Sequence, residues 1–215
     1  MADQADAGSS GPGGRPSPAA SSFITTEHFT LQGARAATIS ESTGRASMFL
    51  GAVSGGLVAP GLLATATRVG TAFYAFGLAL LPTLTFIGLV TFERVLQSGI
   101  EDHDYARRIS RLRAFYFDAA PEIARYMPTM TLQDQLSARG LSGPRRQGYR
   151  TVAGMVGVIT AVLAGATLGL LVAVVTSHSL PAALIAGGVL ALLAMLGLME
   201  YQRRAWVQSE ADSRE

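Results

Sequence analysis

The chain has 215 residues, of which 49% are hydrophobic and 15% charged, and its formal net charge is +2. A net charge this close to zero gives no reason to expect a nucleic-acid partner, and the absence of cysteine excludes disulfides, thiolate metal sites and cysteine nucleophiles. All 17 basic residues are arginine, which together with abundant Ala and Gly indicates a GC-rich bacterial genome.

The first segment, residues 1–22, is predicted to be a disordered tail. It is rich in Gly, Pro, Ser and Ala, and such a composition offers too little apolar surface to offset the entropy lost on folding. It also lacks the basic start and the apolar core of a signal peptide, so we expect no cleavage of the chain in this segment.

Residues 23–45 are predicted to form a cytoplasmic helix that leads into the membrane. Thr25 or Thr26 can cap its N-terminus, because a hydroxyl oxygen can accept a hydrogen bond from the free N–H groups of the first turn. Glu41 and Arg45 follow at i,i+4 in the favourable order, and this pair supports helix up to the membrane surface.

The next segment, residues 46–96, is predicted to be a transmembrane hairpin. The 22 residues before Arg68 carry no charge, and 24 more uncharged residues separate Arg68 from Glu93. A helix needs about 20 apolar residues to cross a bilayer, so each run is long enough for one span. We place these two spans near residues 46–67 and 71–92.

Residues 97–150 are predicted to form a cytoplasmic helical linker. The second span continues as a helix to Ala119, because no proline interrupts the pattern before Pro121. A short helix can follow over residues 132–138. The linker has 54 residues, which is near the lower limit for a domain that folds alone.

The second transmembrane hairpin is predicted over residues 151–200. Between Arg150 and Glu200 lie 49 consecutive uncharged residues, which is more than twice the length that one span needs. A turn-forming Ser, His and Pro segment interrupts this run once, so we place spans near residues 152–175 and 181–200. The fold class is therefore all-α, an integral membrane protein with two transmembrane helical hairpins and cytoplasmic helical extensions.

The arginines predict the orientation of the spans, because cytoplasmic loops carry an excess of basic residues. Arg68 lies between the first two spans, on the opposite side from the linker. The linker holds nine arginines: Arg107, Arg108, Arg111, Arg113, Arg125, Arg139, Arg145, Arg146 and Arg150. We therefore place both termini, including the C-terminal tail 201–215, on the cytoplasmic side of a bacterial plasma (inner) membrane.

Small residues at every fourth position predict close helix packing within the spans, because they allow two backbones to approach in lipid. The partner helix could belong to the same bundle or to a second protomer. The longest such row lies in the third span: Ala153, Gly157, Ala161, Gly165, Gly169 and Ala173. The glycines predicted to pack against a neighbouring helix are Gly51, Gly55, Gly157, Gly165, Gly169 and Gly187.

The sequence offers no constellation that would carry catalysis. No ionisable residue falls at membrane depth, where a proton-coupled transporter or an intramembrane enzyme usually has one. His28 and His103 both fall in the predicted cytoplasmic helices, where solvated surface positions explain them better than a metal site does. We therefore expect no enzyme activity, no catalytic residues, no cofactor and no metal.

Two segments resemble a family of uncharacterised bacterial four-span integral membrane proteins. They are residues 27–45, beginning EHFTLQGAR, and residues 91–102, TFERVLQSGIED, and the resemblance covers about residues 23–120. The layout of a cytoplasmic helix, a two-span hairpin and a helical extension is also similar to the SLATT membrane effector domains. That similarity implies a membrane-perforating effector paired with a nucleotide sensor, whereas this chain adds a second hairpin and contains no visible sensor domain.

These observations favour a non-enzymatic multi-pass membrane protein that acts as a scaffold or accessory subunit. The alternative is a self-associating pore of the SLATT kind, and a small-solute transporter is disfavoured because charge is missing from the spans. The expected partner is the lipid bilayer. A second copy of the chain and an unidentified cytoplasmic protein are the two further candidates, and nucleic acid is not expected.

Overall fold

Four α-helices make up the part of the chain that the computed structural model describes, which is residues 17–67, 70–119, 152–176 and 179–212. The predicted all-helical class is therefore confirmed. The short helix predicted over residues 132–138 lies outside the described residues. The helices are α1 (Pro18–Thr67), α2 (Thr71–Ala119), α3 (Val152–Val175) and α4 (Leu180–Asp212).

Helix α1 begins earlier than its sequence pattern predicted. The side-chain oxygen of Ser17 accepts a hydrogen bond from the backbone N–H of Ala20 at 3.2 Å, and Pro18 takes the first helical position. Thr25 and Thr26 are not caps, because each hydroxyl donates to the carbonyl four residues earlier. The end of the segment predicted to be disordered is therefore helical, since a Ser-Pro start already satisfies the first turn.

Three of the four helices continue through the boundaries between the predicted segments. Helix α1 passes Arg45 without a break and includes Pro60, and α2 includes Pro82 and continues to Ala119 as predicted. Helix α4 continues past Glu200 and includes most of the predicted C-terminal tail. Each of these helices therefore contains an apolar part and a charged part without a break between them.

Neighbouring helices pack in an antiparallel manner. A Cβ atom at Gly56 of α1 would contact Leu84 of α2, and α2 in turn meets α3 with Gly77 against Leu170 at one end. Because α2 is antiparallel to both α1 and α3, the α1–α2 turn and the α3–α4 turn lie at the same end of the bundle. The opposite end carries the charged extensions, and we call it the arginine end.

Helices α2 and α3 are the central elements of the bundle, since each of them contacts all three other helices. Phe49 of α1 and Thr160 of α3 meet at Gly88 of α2, and both side chains are fully buried. The buried apolar residues that surround this point are Ala46, Val53, Leu84, Phe92, Val95, Leu96, Ala153, Val156 and Leu163.

Three helices are long and apolar enough to cross a membrane by length and composition, over Thr71–Phe117, Val152–Val175 and Leu180–Ser209. Large apolar side chains also lie exposed on the outside of the bundle, and Phe86 of α2 is one example. In water such a surface would favour association, because apolar area gains free energy when it is removed from solvent.

We expect replacement of Phe49 by Ala to destabilise the bundle by about 3–5 kcal/mol, because it removes a ring from the junction of three helices and leaves a cavity. Phe86→Ala is the matched control, since the Phe86 side chain is 67% exposed whereas that of Phe49 is 2% exposed. Denaturant unfolding in detergent would measure both free energies, and equal losses would contradict this assignment of the core.

Candidate functional site

The row of small residues on α3 lies on the inner face of that helix. Ala153, Gly157, Ala161, Gly165 and Ala173 are buried. A spacing of four residues keeps side chains on nearly the same face of an α-helix, so these positions form one continuous stripe. The stripe lets two different neighbours approach α3 closely.

The first neighbour is α4, whose backbone contacts that of α3. A Cβ atom at Gly187 would lie 2.7 Å from the carbonyl oxygen of Gly165 and 3.3 Å from the Cα of Gly169. A Cβ atom at Gly169 would lie 3.0 Å from the carbonyl oxygen of Ala183. The 2.7 Å distance is shorter than real Cβ atoms tolerate and the other two are tighter than most Cβ contacts, so these three glycines allow the close α3–α4 crossing.

The second neighbour is α2, which presents an aromatic ring to the same stripe. A Cβ atom at Gly157 would lie 3.0 Å from Cε2 of Phe92, so this glycine accommodates a side chain and not a backbone. The four predicted packing glycines of the second hairpin, Gly157, Gly165, Gly169 and Gly187, thus all lie at helix contacts within one chain.

Three glycines of α2 have the same role and were not singled out by the sequence pattern. A Cβ atom at Gly77 would lie 2.6 Å from Leu170, and one at Gly88 would lie 3.0 Å from the Phe49 ring. A Cβ atom at Gly99 would lie 3.7 Å from Cζ2 of Trp206, which is an ordinary van der Waals contact with α4. The three follow each other at intervals of eleven residues, which is three helical turns, and this spacing is the signal that could have identified them.

Gly51 and Gly55 of α1 lie on the outside of the bundle. A Cβ atom at either position would meet nothing within 4 Å among the described residues, whereas Gly56 next to them faces Leu84 at 3.0 Å. Within one chain the packing glycine of α1 is therefore Gly56. A packing role for Gly51 and Gly55 stays a prediction that requires a second molecule.

The interior of the bundle contains hydroxyl groups but no ionisable side chain among its described residues. Thr160 is fully buried, and its hydroxyl donates a hydrogen bond of 2.8 Å to the carbonyl of Val156. Thr85 and Thr167 bond their own helices in the same way. These hydroxyls are satisfied locally, so the bundle does not need a bound partner to compensate them.

A crevice between α2, α3 and α4 is too small for a metabolite. The space that a water-sized molecule could occupy in it is about 0 Å³, whereas small-molecule sites usually measure about 300–1,000 Å³. The lining is apolar except for one amide: Phe92, Gly154, Gly157, Val158, Met195, Leu198, Met199 and Gln202.

At the arginine end, an ion pair joins α1 to α2. Nε of Arg35 donates a hydrogen bond to Asp102 at 2.7 Å, and the two side chains are 38% and 27% exposed. The partners are 67 residues apart in the chain, and the sequence pattern did not predict this pair. Because a slip by one residue would separate them, the ion pair helps to fix the register of the α1–α2 extension.

Two histidines at this end pack against aromatic rings and not against each other. The His28 ring lies 5.9 Å from that of Tyr116, and the His103 ring lies 5.5 Å from that of Trp206. The described residues contain no group of three His, Cys, Asp or Glu side chains that could hold a metal ion. The edge-to-face geometry is typical of packing between rings.

A further polar contact at the arginine end joins α4 to α2. The Tyr201 hydroxyl donates to the carboxylate of Glu93 at 3.0 Å, and this hydrogen bond together with the negative charge raises the pKa of Tyr201. Close by, Arg203 and Arg204 both pair with Glu200, and the hydrogen bond to Glu200 raises the pKa of Arg203. The site as a whole is therefore a helix-packing interface, and charged residues border it at the arginine end.

Comparison of the chain with protein families, with curated proteins and with solved structures finds no match.

We expect Gly165→Ala to destabilise the bundle by about 1–3 kcal/mol, because its new methyl group would overlap Gly187 and Ala191 and force α4 outward. Gly188→Ala is the matched control on α4, since a Cβ atom there would meet nothing within 4 Å. The control should stabilise the helix by up to about 1 kcal/mol, since Ala favours the helix over Gly.

Thermal and denaturant unfolding of the purified protein in detergent would measure the two effects. The opposite signs make the pair informative, because any general sensitivity of the second hairpin would lower both stabilities. Destabilisation by Gly188→Ala, or no effect of Gly165→Ala, would contradict the close α3–α4 crossing.

Proposed function

We propose that the chain is an integral membrane protein of four spans that acts without enzyme activity as a scaffold or accessory subunit. The observation that carries this proposal is where the exposed apolar side chains lie along the length of the bundle. Exposed large apolar residues cluster over residues 48–62 of α1 and 76–90 of α2, and the antiparallel packing brings these two ranges side by side. Phe23, Phe29 and Ile39 of α1 are also exposed but lie outside this level, nearer the N-terminus of the helix. The exposed apolar residues of α3 and α4 include Val162, Leu171, Leu184, Val189, Leu192 and Leu196.

The first charged residues at the arginine end also lie at one level. Phe49 packs beside Gly88, so Arg45, which is one turn further on α1, lies opposite the region of Glu93 on α2. Glu93 in turn contacts Tyr201, the residue after Glu200 on α4. A common boundary between exposed apolar and charged residues on three helices is what the edge of a bilayer requires.

The uncharged parts of the four helices together form a layer of the bundle, which we call the apolar slice. Its thickness is close to that of a bilayer. Residues 46–67 of α1 carry no charge, and 22 residues at about 1.5 Å per residue span roughly 33 Å. The hydrocarbon core of a bilayer is about 30 Å thick. We therefore count the uncharged half of α1 as a fourth span beside the three helices that are apolar enough by composition.

The arginine bias supports an orientation with both termini in the cytoplasm of a bacterium and the protein in its plasma membrane. Every described arginine lies at the arginine end, and basic residues are retained on the cytoplasmic side. With this orientation, residues 18–45 of α1 and 93–119 of α2 project into the cytoplasm as a pair of helices about 40 Å long. We call this pair the stem.

The scaffold role is supported by what the bundle offers. Its described interior is packed, its buried hydroxyls bond their own helices, and its crevice is too small for a metabolite. The stem, by contrast, presents two long helices to the cytoplasm. A protein that is closed within the membrane and extended outside it is suited to holding a partner at the membrane surface.

To test the four-span orientation, a reporter enzyme that is active only in the cytoplasm would be fused after Glu215 and, separately, at Ser177. We expect activity from the first fusion and none from the second, because an even number of spans returns the C-terminus to the side of the N-terminus. A reporter active at Ser177 would contradict the proposed orientation.

A self-associating pore is a second candidate function, and one observation favours it. Gly51 and Gly55 form a small-residue face on the outside of α1, where a second copy of the helix could approach closely. The similarity of the layout to SLATT effectors points in the same direction. A ring of such contacts could enclose a pore that one chain does not contain.

Liposomes loaded with a fluorescent dye would distinguish these two functions. The scaffold proposal expects them to retain the dye when the purified protein is inserted, because the bundle is packed. Release of the dye would favour the pore, and Gly55→Leu should then reduce the release by separating the copies. Gly188→Leu, which also places a leucine at an exposed helix position, is the control for that variant.

A further inference from the structure

The cytoplasmic stem has two ends that differ in charge. The stem base, residues 32–45 and 93–106, holds three arginines and five acidic residues, whereas the stem tip, residues 18–31 and 107–119, holds four arginines, one Glu and one Asp. The formal charges are therefore 3 − 5 = −2 for the base and 4 − 2 = +2 for the tip. The two ranges of each end lie side by side, since Arg35 pairs with Asp102 and His28 packs on Tyr116.

Two of the three arginines of the base form ion pairs, whereas the third, Arg94, is exposed and forms none with the described residues. Arg35 pairs with Asp102, and Arg45 pairs with Glu41 at 2.8 Å. At the tip, the side chains of Arg108, Arg111 and Arg113 are exposed and form no ion pair with the described residues. Among the described residues, three of the exposed arginines without an ion pair therefore lie together at the tip, and one lies at the base.

The lipid headgroups of the proposed membrane are too distant to be the partner of these arginines. Arg108 and Arg113 follow Phe92 by 16 and 21 residues in one continuous helix, so they lie roughly 24 and 32 Å beyond the apolar slice. Headgroups extend about 5–7 Å from the hydrocarbon, and salt screens exposed charges over about 8 Å. The acidic stem base lies between the two.

Exposed aromatic side chains accompany the arginines at the tip. Phe23 and Phe29 are 75% and 68% exposed, although burial of a phenylalanine side chain is favourable. Phe115, which is half-buried, lies seven residues after Arg108 and four after Arg111, so the three positions share one face of α2. Arginine and aromatic residues are the side chains enriched where protein interfaces gain most of their affinity.

We propose that the stem tip is a docking surface for an acidic segment of a soluble cytoplasmic protein, one that carries an apolar side chain among its carboxylates. The carboxylates pair with Arg108 and Arg111, and the apolar side chain covers exposed phenylalanine. A protein is favoured over a small anion because the tip is a convex pair of helices with charge and apolar area side by side. This inference rests on the proposed membrane scaffold, whose partner it specifies.

The test uses the full chain in nanodiscs of phosphatidylcholine and a fluorescent peptide built from Glu-Glu-Phe-Glu repeats. We expect binding that weakens with salt, and R108Q/R111Q should weaken it by about tenfold, since each lost charge pair contributes less than a buried one. R203Q/R204Q is the matched control, because it removes two arginines that Glu200 already engages. Gln keeps the helix propensity of Arg, so both variants should fold.

Two further arms specify what the tip recognises. F29S should weaken the binding of the peptide while leaving the salt dependence of that binding unchanged. R108E/R111E should bind a peptide of the same pattern in which Lys replaces Glu. An RNA of the same length is the alternative polyanion. Tighter binding of the RNA than of the peptide, equal losses in the tip and control variants, or no binding of the peptide would each overturn the proposal.

Failure of the docking proposal can be told apart from failure of the membrane proposal. Extraction of native membranes at alkaline pH would release the chain if it were not an integral protein, whatever the peptide does. If the chain stays in the membrane fraction and the peptide does not bind, only the docking surface is wrong. Replacing part of the phosphatidylcholine by phosphatidylserine should not change the affinity, and a marked loss would mean that the arginines lie on headgroups, which also overturns the proposal.

Discussion

The contact between the backbones of α3 and α4 is the constraint on which the rest of the bundle depends. Where Gly165 faces Gly187, no side chain separates the two helices, so dispersion contacts between main-chain atoms hold them together. This contact matters most if the bundle lies in lipid, because apolar side chains then gain little by leaving the solvent. Because α3 contacts α4 along one face, its other face can pack against α2.

That other face explains the spacing of glycines on α2. With α3 held against α4, α2 must approach over a surface that includes the Leu170 and Thr160 side chains, and Gly77 and Gly88 provide the space. Gly99 extends the same face past the apolar slice, where it receives Trp206 of α4. One face of α2 thus connects the packing of the apolar slice to the packing of the arginine end.

The outer surfaces of the molecule are central to the proposed functions. The described bundle holds no ionisable group at the depth of the apolar slice, and its buried hydroxyls are satisfied by their own helices. In the proposed functions the chain acts through contacts made outside the bundle, by the small-residue face of α1 or by the stem. The two surfaces lead to different functions, since one would assemble copies of the chain and the other would hold a different protein.

The sequence by itself determined the helical class and the positions of the apolar runs, because uncharged runs of span length depend only on composition along the chain. It also identified the packing stripe of α3, since six small residues in one row need no partner to be recognised. It did not determine where α1 begins or how far α4 extends past Glu200. It could not decide that Gly56 and not Gly55 faces α2, because a helix that is apolar on all sides has no sequence signal for its inner face. The pair Arg35 and Asp102 and the packing of His103 on Trp206 were likewise decided only by the tertiary structure, which brings together residues far apart in the chain through the register of the helices.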